Sequence, residues 1–196
     1  MTSDRDDPHV PPAGLPAPSD DGAARHLRGA KLPAIELAST AGEAVNLAEL
    51  ARFPNVLFFY PGAGVPGRPA GAGFDSIPGA RGCTPQSLGF KALHAEFAKR
   101  GVEVYGVSTQ TTAHQHEFRE RERIPFHFLS DAELALTRCM RLPTFDFPIG
   151  GGGPAVLLKR MAWFVDTGIV EELWYPVFPP DRNAGLVLGW LDVHPR

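Results

Sequence analysis

From Leu32 onward the apolar positions of this chain switch between strand and helix spacing. Val56-Leu57-Phe58-Phe59-Tyr60 is a continuous apolar run, the pattern of a strand covered on both faces. After Cys83, Phe90, Leu93 and Phe97 recur at helical intervals, and Lys99-Arg100-Gly101 closes that helix with two cations and a glycine. Val102 to Ser108 alternates as a second buried strand. Thr111 opens a helix to about Arg123, and Pro125-Phe126-His127-Phe128-Leu129 gives a third strand. Ser130-Asp131-Ala132-Glu133 has the form of a capping box and predicts a helix that carries Cys139. Past the Gly150 to Gly153 run, Ala155 to Val165 and Ile169 to Tyr175 predict strands joined at Asp166-Thr167-Gly168, a hairpin-like turn. A last helix from about Asp181 carries Leu186, Trp190 and Leu191. Strands alternating with helices, followed by a hairpin and a helix, define a three-layer α/β domain.

Two stretches lie outside this pattern. Residues 1–28 hold Pro8, Pro11, Pro12, Pro16, Pro18 and several aspartates but almost no large apolar side chain, so they are expected to form a disordered tail ahead of a domain at 29–196. Pro61 to Gly82 is 22 residues rich in glycine and proline, too long and irregular for an ordinary connection.

At 196 residues and 43% hydrophobic content, the chain has the material for one substantial core. A net charge of −3 and a pI near 6.2 leave no electrostatic footprint for nucleic acid. No stretch reaches the roughly 18 apolar residues of a bilayer span. Asp4, Asp6 and Asp7 stand where a signal peptide needs a basic region, so a cytoplasmic location without membrane association is expected. Two cysteines 56 positions apart make no disulfide scaffold; in a reducing compartment such thiols are catalytic, redox-sensing or buried.

Cys83 carries the chemistry. It lies in Gly82-Cys83-Thr84-Pro85-Gln86, where a glycine-rich loop turns into a helix. A thiol there faces unpaired backbone N–H groups and the positive end of the helix dipole, both of which favour the thiolate. Its alternative role is a small buried hydrophobe. The histidines His94, His114, His116 and His127 lack ligand spacing, so no metal is expected, and the glycine-rich loop has no Gly-Lys-Ser/Thr ending to hold a phosphate. No cofactor is implied.

Phe58-Phe59-Tyr60-Pro61, Gly82-Cys83-Thr84, Gly106-Val107-Ser108, Ile124 to Asp131 and Arg160 to Gly168 resemble, in order and spacing, the landmarks of the peroxiredoxins (redoxins). The similarity runs from about Leu32 to Leu191 and is greatest to the bacterioferritin-comigratory, or peroxiredoxin Q, branch. It implies a thioredoxin-like α/β/α fold with a central mixed sheet and an antioxidant thiol peroxidase. In that family a peroxidatic cysteine, here matched by Cys83, attacks hydrogen peroxide or an organic hydroperoxide and becomes a sulfenic acid. Arg160 matches the arginine beside the thiolate, and Pro61, Thr84 and Gln86 are candidate pocket residues. The implied partners are the peroxide and a thiol reductant (thioredoxin, glutaredoxin or glutathione), in a monomer or homodimer.

Two departures bear on the cycle. The family's threonine three residues before the cysteine is Ala80, leaving Ser76, Thr84 or a backbone group to replace its hydroxyl, and Pro61 stands 22 residues before Cys83. The branch's resolving position, five after the peroxidatic cysteine, is Leu88. Cys139 is the remaining candidate to resolve, but it shares a helical face with Ala132, Ala135 and Leu136, the spacing of a buried structural thiol. A one-cysteine cycle with an external thiol is therefore expected. The alternatives are a monothiol thioredoxin-like oxidoreductase, since Cys83 has no Cys-x-x-Cys partner, and a redox-sensing module that has lost turnover.

Overall fold

The structure, a computed structural model, describes residues 8–9, 14–67, 71–148 and 154–194. Its central strand is β3 (Asn55–Phe59), preceded by β1 (Glu36–Ser39), β2 (Val45–Asn46) and the short helix α1 (Leu47–Leu50). Helix α2 (Cys83–Lys99), β4 (Glu103–Ser108), α3 (Thr112–Arg121), β5 (His127–Ser130) and α4 (Ala135–Met140) follow. The chain ends with β6 (Thr144–Pro148), β7 (Pro154–Leu158), β8 (Met161–Asp166), β9 (Ile169–Trp174) and α5 (Asn183–Val193). The main sheet runs β2-β1-β5-β4-β3-β8-β9, with β3, β4 and β5 parallel and the flanking pairs antiparallel. This is the mixed sheet of a thioredoxin fold.

Every residue of β3 is buried, because helices cover both faces. Val56, Phe58 and Tyr60 point to one side, where Phe90 and Phe97 of α2, Phe118 of α3 and Val187 and Leu191 of α5 close a core. Phe58 stacks on Phe90 with ring centroids 4.5 Å apart. Gly106 leaves room for this cluster, since a Cβ there would come within 2.4 Å of the Phe128 ring. Leu57 and Phe59 point to the other side, against Leu47 of α1 and Leu136 and Met140 of α4. Each fully buried Phe or Leu contributes roughly 1.5–3 kcal/mol, so the two faces together fix the strand on which the site is built.

Several expectations need correction. Residues 14–28 are not a free tail: Ala24 and Leu27 are buried in the second core, His26 Nε2 donates to the Met140 carbonyl at 2.9 Å, and Asp21 pairs with Lys159 at 2.7 Å. Two apolar anchors and a set of polar contacts are enough to seat a segment with little apolar content. Residues 1–7 and 10–13 of that expected tail lie outside the described residues, as does the Gly150 to Gly153 run.

The single strand expected over Ala155 to Val165 is two. β7 pairs with β6 in a separate two-stranded ribbon, and the chain crosses to the main sheet at Lys159-Arg160. Helix α4 begins later than the capping box predicts: its N-cap position is Leu134, and the Asp131 carboxylate, from outside the helix, accepts from Leu136 N and Thr137 N. Cys139 is exposed on α4, because Leu136 and Met140 take the helix's buried side. Leu186 of α5 is exposed as well, while Leu191 is buried.

Candidate active site

Helix α2 begins at Cys83 because the chain can turn sharply there. Gly82, the residue before it, has φ 101°, and a Cβ on it would come within 2.2 Å of Pro180. Only glycine fits that approach. The turn leaves Cys83 at the first helical position, 5% exposed, with its sulfur against three groups. Arg160 Nη2 lies 3.3 Å from Sγ, Gly62 N–H donates to Sγ at 3.5 Å, and the thiol faces the Ala80 carbonyl at 3.7 Å. Sequence places Pro61-Gly62 and Cys83 more than twenty residues apart, yet the insertion loops out and returns, so the end of β3 abuts the thiol.

Arg160 is 3% exposed and held on several sides. Nη2 donates to the carbonyls of Gly79, Ala80 and Arg81 at 3.3, 3.2 and 3.0 Å, and Nη1 donates to Gln86 Oε1. Gln86 Nε2 in turn donates to Asn183 Oδ1 at 2.9 Å, at the start of α5. Gln86 is fully buried, so it is a link between three elements rather than a solvated first-turn residue. A buried guanidinium needs partners for its donors, and this arrangement gives partners to both terminal nitrogens while placing Nη2 against the sulfur. That is a fixed cation beside a thiol at a helix start.

Of the candidate replacements for the missing hydroxyl at Ala80, the backbone N–H of Gly62 touches the sulfur, Thr84 is buried in the first turn of α2, and Ser76 is exposed. Beneath the site Tyr60 is fully buried, and loss of solvent pushes its hydroxyl well above the usual phenol range. Behind Arg160 lies a cleft of about 310 Å³, lined by Pro18 and Asp21 of the N-terminal segment, Ile77 and Gly79 of the insertion, and Phe145 and Tyr175. The insertion thus borders the site. It also forms a small core of its own with the β6–β7 ribbon, built from Phe74, Ala80, Phe147 and Leu157.

Cys139 is not brought to Cys83. Its helix packs on the face of the sheet opposite the one that holds Cys83, and its side chain is exposed. Among the described residues no group of three His, Cys, Asp or Glu side chains comes together to hold a metal. Gly62 and Asn183 join the site without any sequence signal, since each acts through contacts distant in the chain.

The fold and site define a thioredoxin-fold thiol protein with one arginine-backed cysteine at a helix start. A match to the Redoxin family covers residues 27–188, and the chain belongs to that family, as a peroxiredoxin-type thiol peroxidase with similarity to peroxiredoxin Q proteins. It is 27% identical over 186 residues to the chloroplastic peroxiredoxin Q of Oryza sativa subsp. japonica, covering 92% of this chain and 76% of the relative. Among solved structures, peroxidoxin BcpB from Mycobacterium tuberculosis superposes with TM-score 0.65 at 27% identity, covering 85% of this chain and 96% of that one. Peroxiredoxin Q from Xanthomonas campestris gives 0.64 at 27% identity, over 85% and 97%.

Proposed function

We propose that Cys83 is the peroxidatic residue, working in a one-cysteine cycle on hydrogen peroxide or organic hydroperoxides. The observation that carries this reading is the 3.3 Å contact between a buried guanidinium and a buried sulfur. The Cys83 thiolate attacks one peroxide oxygen, the O–O bond breaks and an S–O bond forms. Sulfur is oxidised by two electrons to sulfenic acid, and the leaving oxygen takes a proton and departs as water or an alcohol. Arg160 stabilises the thiolate and donates to the peroxide oxygens, with its charge fixed and its fork oriented by Gln86 and the Gly79–Arg81 carbonyls.

An external thiol then condenses with the sulfenic acid, releasing water and leaving a mixed disulfide. A second thiol attacks that disulfide, frees Cys83 and carries the oxidation away. The opposite placement of Cys139 supports this external route, because a disulfide needs Cα atoms within roughly 7 Å. Thioredoxin, glutaredoxin or glutathione in a reducing cytoplasm would serve. The test is Cys83→Ser with peroxide consumption followed under each reductant. Complete loss of turnover in a folded variant is expected, and consumption at the wild-type rate would remove Cys83 from the chemistry.

A further inference from the structure

The insertion leaves β3 at Pro61-Gly62 and reaches α2 only at Gly82, so its first residues have no short covalent tether to that helix. Side chains hold them instead. Gln110, in the turn between β4 and α3, uses both ends of its amide on one residue. Its Oε1 accepts from Ala63 N at 2.7 Å and its Nε2 donates to the Ala63 carbonyl at 3.0 Å. This is the reciprocal pair that a neighbouring strand residue would make. His114 Nε2 donates to the same carbonyl at 2.8 Å, and Arg121 Nη2 donates to the Gly64 carbonyl at 2.9 Å.

Gln110 is itself fixed. Its N–H donates to Ser108 Oγ at 3.3 Å and its carbonyl accepts from Ser130 Oγ at 2.6 Å. Ser108 is fully buried and takes a further bond from Gln115 Nε2 at 3.0 Å. A Cβ on Gly62 would sit 3.2 Å from the Gln110 amide carbon, so glycine is what allows this close approach. One residue separates the clamped Ala63 from the reactive sulfur, and that residue is Gly62, whose N–H donates to Cys83 Sγ at 3.5 Å.

We infer that Gln110, assisted by His114, is a positioning residue of the active site, holding the start of the insertion so that the Gly62 N–H stays aimed at the Cys83 sulfur. The inference rests on the reading of Cys83 as the reactive thiol. A backbone donor stabilises a thiolate only while its direction is kept, because hydrogen bonds weaken steeply with misalignment. A long glycine-rich segment keeps no direction by itself, since glycine populates both signs of φ. The clamp supplies the restraint that a short strand-to-helix link would otherwise give.

The test uses the full chain with Cys139→Ser, so that alkylation by iodoacetamide reports Cys83 alone. Gln110→Met keeps the length of the side chain and removes both hydrogen bonds. Gln110→Glu keeps the acceptor for Ala63 N but turns oxygen lone pairs on the Ala63 carbonyl. Arg160 and Tyr60, the ionisable groups facing Cys83 among the described residues, are left in place by either change, but Gln110→Glu adds a negative charge that disfavours the thiolate by itself, so Gln110→Met is the deciding variant. In both variants the midpoint of the alkylation pH profile should move up by about one pH unit, which is about a tenfold loss of thiolate at pH well below it. His114→Phe, which removes one bond of the clamp, should move it less in the same direction. A role confined to stability would lower the unfolding temperature and leave the midpoint where it was, and an unchanged midpoint in Gln110→Met overturns the inference. Where that variant fails to fold, an unchanged midpoint in His114→Phe does the same. Alkylation reads the sulfur whether or not peroxide is turned over, so a wild-type protein without peroxidase activity would sink the function and leave the clamp to be judged on its own result.

Discussion

Replacing Arg160 with methionine removes the cation from Cys83 while keeping an unbranched chain of similar reach. At an effective dielectric constant of about 20, two charges 3.3 Å apart attract by about 5 kcal/mol before desolvation is counted. Charge-assisted hydrogen bonds keep about 1.5–3 kcal/mol of that as net stabilisation, which corresponds to a thiol midpoint about one to two pH units higher. The same substitution strips a donor from the carbonyls of Gly79, Ala80 and Arg81. Gly79 lines the cleft behind the site, so water reaches at least that carbonyl, and the stability loss should stay near about 1–3 kcal/mol. Urea unfolding reads the second effect, while alkylation of Cys83 against pH and the rate of peroxide reduction read the first. Arg160→Lys should recover part of the rate, because an ammonium keeps the charge but cannot span Gln86, three carbonyls and the sulfur together. A folded Arg160→Met protein with an unchanged alkylation profile and an unchanged peroxide rate would show that the guanidinium does no work on the thiol.

Cys139→Ser should leave the first oxidation step intact, and a high yield of Cys83–Cys139 disulfide under mild peroxide on a non-reducing gel would refute the one-cysteine cycle. Phe74→Ala should cost about 3 kcal/mol in urea unfolding, the low end for a buried phenylalanine at the edge of a small cluster, where it meets Phe147 at 4.9 Å between ring centroids. Shortening the insertion to a brief link should reduce turnover more than stability; a shortened variant with full turnover would make the loop a surface embellishment. The Lys159 ammonium, the Ala23 N–H and the Tyr175 hydroxyl hold the Asp21 carboxyl down to about 2 from its ordinary 3.8. Its contribution is therefore present above pH 4 and is lost as pH falls from about 4 towards 2, so hydrogen exchange along residues 16–27 should rise in that window in the wild type and show no such step in Asp21→Asn.

The parts legible in the sequence are those whose pattern is local. β3, α2 and β4 follow from one apolar run, one helical stripe and one alternation, and the Thr167-Gly168 turn between β8 and β9 from its residue types. The β6–β7 ribbon is hidden because Ala155 to Val165 is apolar almost throughout, and what divides it at Lys159-Arg160 is a change of sheet that no local preference records. The N-terminal segment resembles a free tail because its large apolar residues are few; its anchors are Ala24 and Leu27. Cys139 is exposed because Leu136, Thr137 and Met140 take the buried side of its helix, a choice of face that the spacing with Ala135 and Leu136 leaves open. Cys83 is legible from its place at a helix start, but Arg160, 77 positions away, is legible only through the family's spacing. Gln86, Asn183 and Gln110 carry no signature of their own, since an amide that links distant backbone segments looks in sequence like any other amide.

The insertion changes what position 80 can do. In the family's pattern a threonine hydroxyl there faces the peroxide, but here the loop carries the Ala80 side chain into a buried cluster with Phe74, Phe147 and Leu157. A hydroxyl in that apolar setting costs roughly 1–3 kcal/mol unless it finds a partner, so alanine is the residue that the loop's own packing favours. The backbone of the same stretch acts on the arginine instead, because the carbonyls from Gly79 to Arg81 hold the guanidinium, which then faces the sulfur. Removing a side-chain donor and adding a long loop thus belong to one rearrangement, in which main-chain groups at the two ends of the insertion, the Gly62 N–H and these three carbonyls, frame the thiol and its cation. The spacing between Pro61 and Cys83 is then free to grow, because loop closure costs only about 0.6 kcal/mol for each doubling of length once both ends are fixed by contacts.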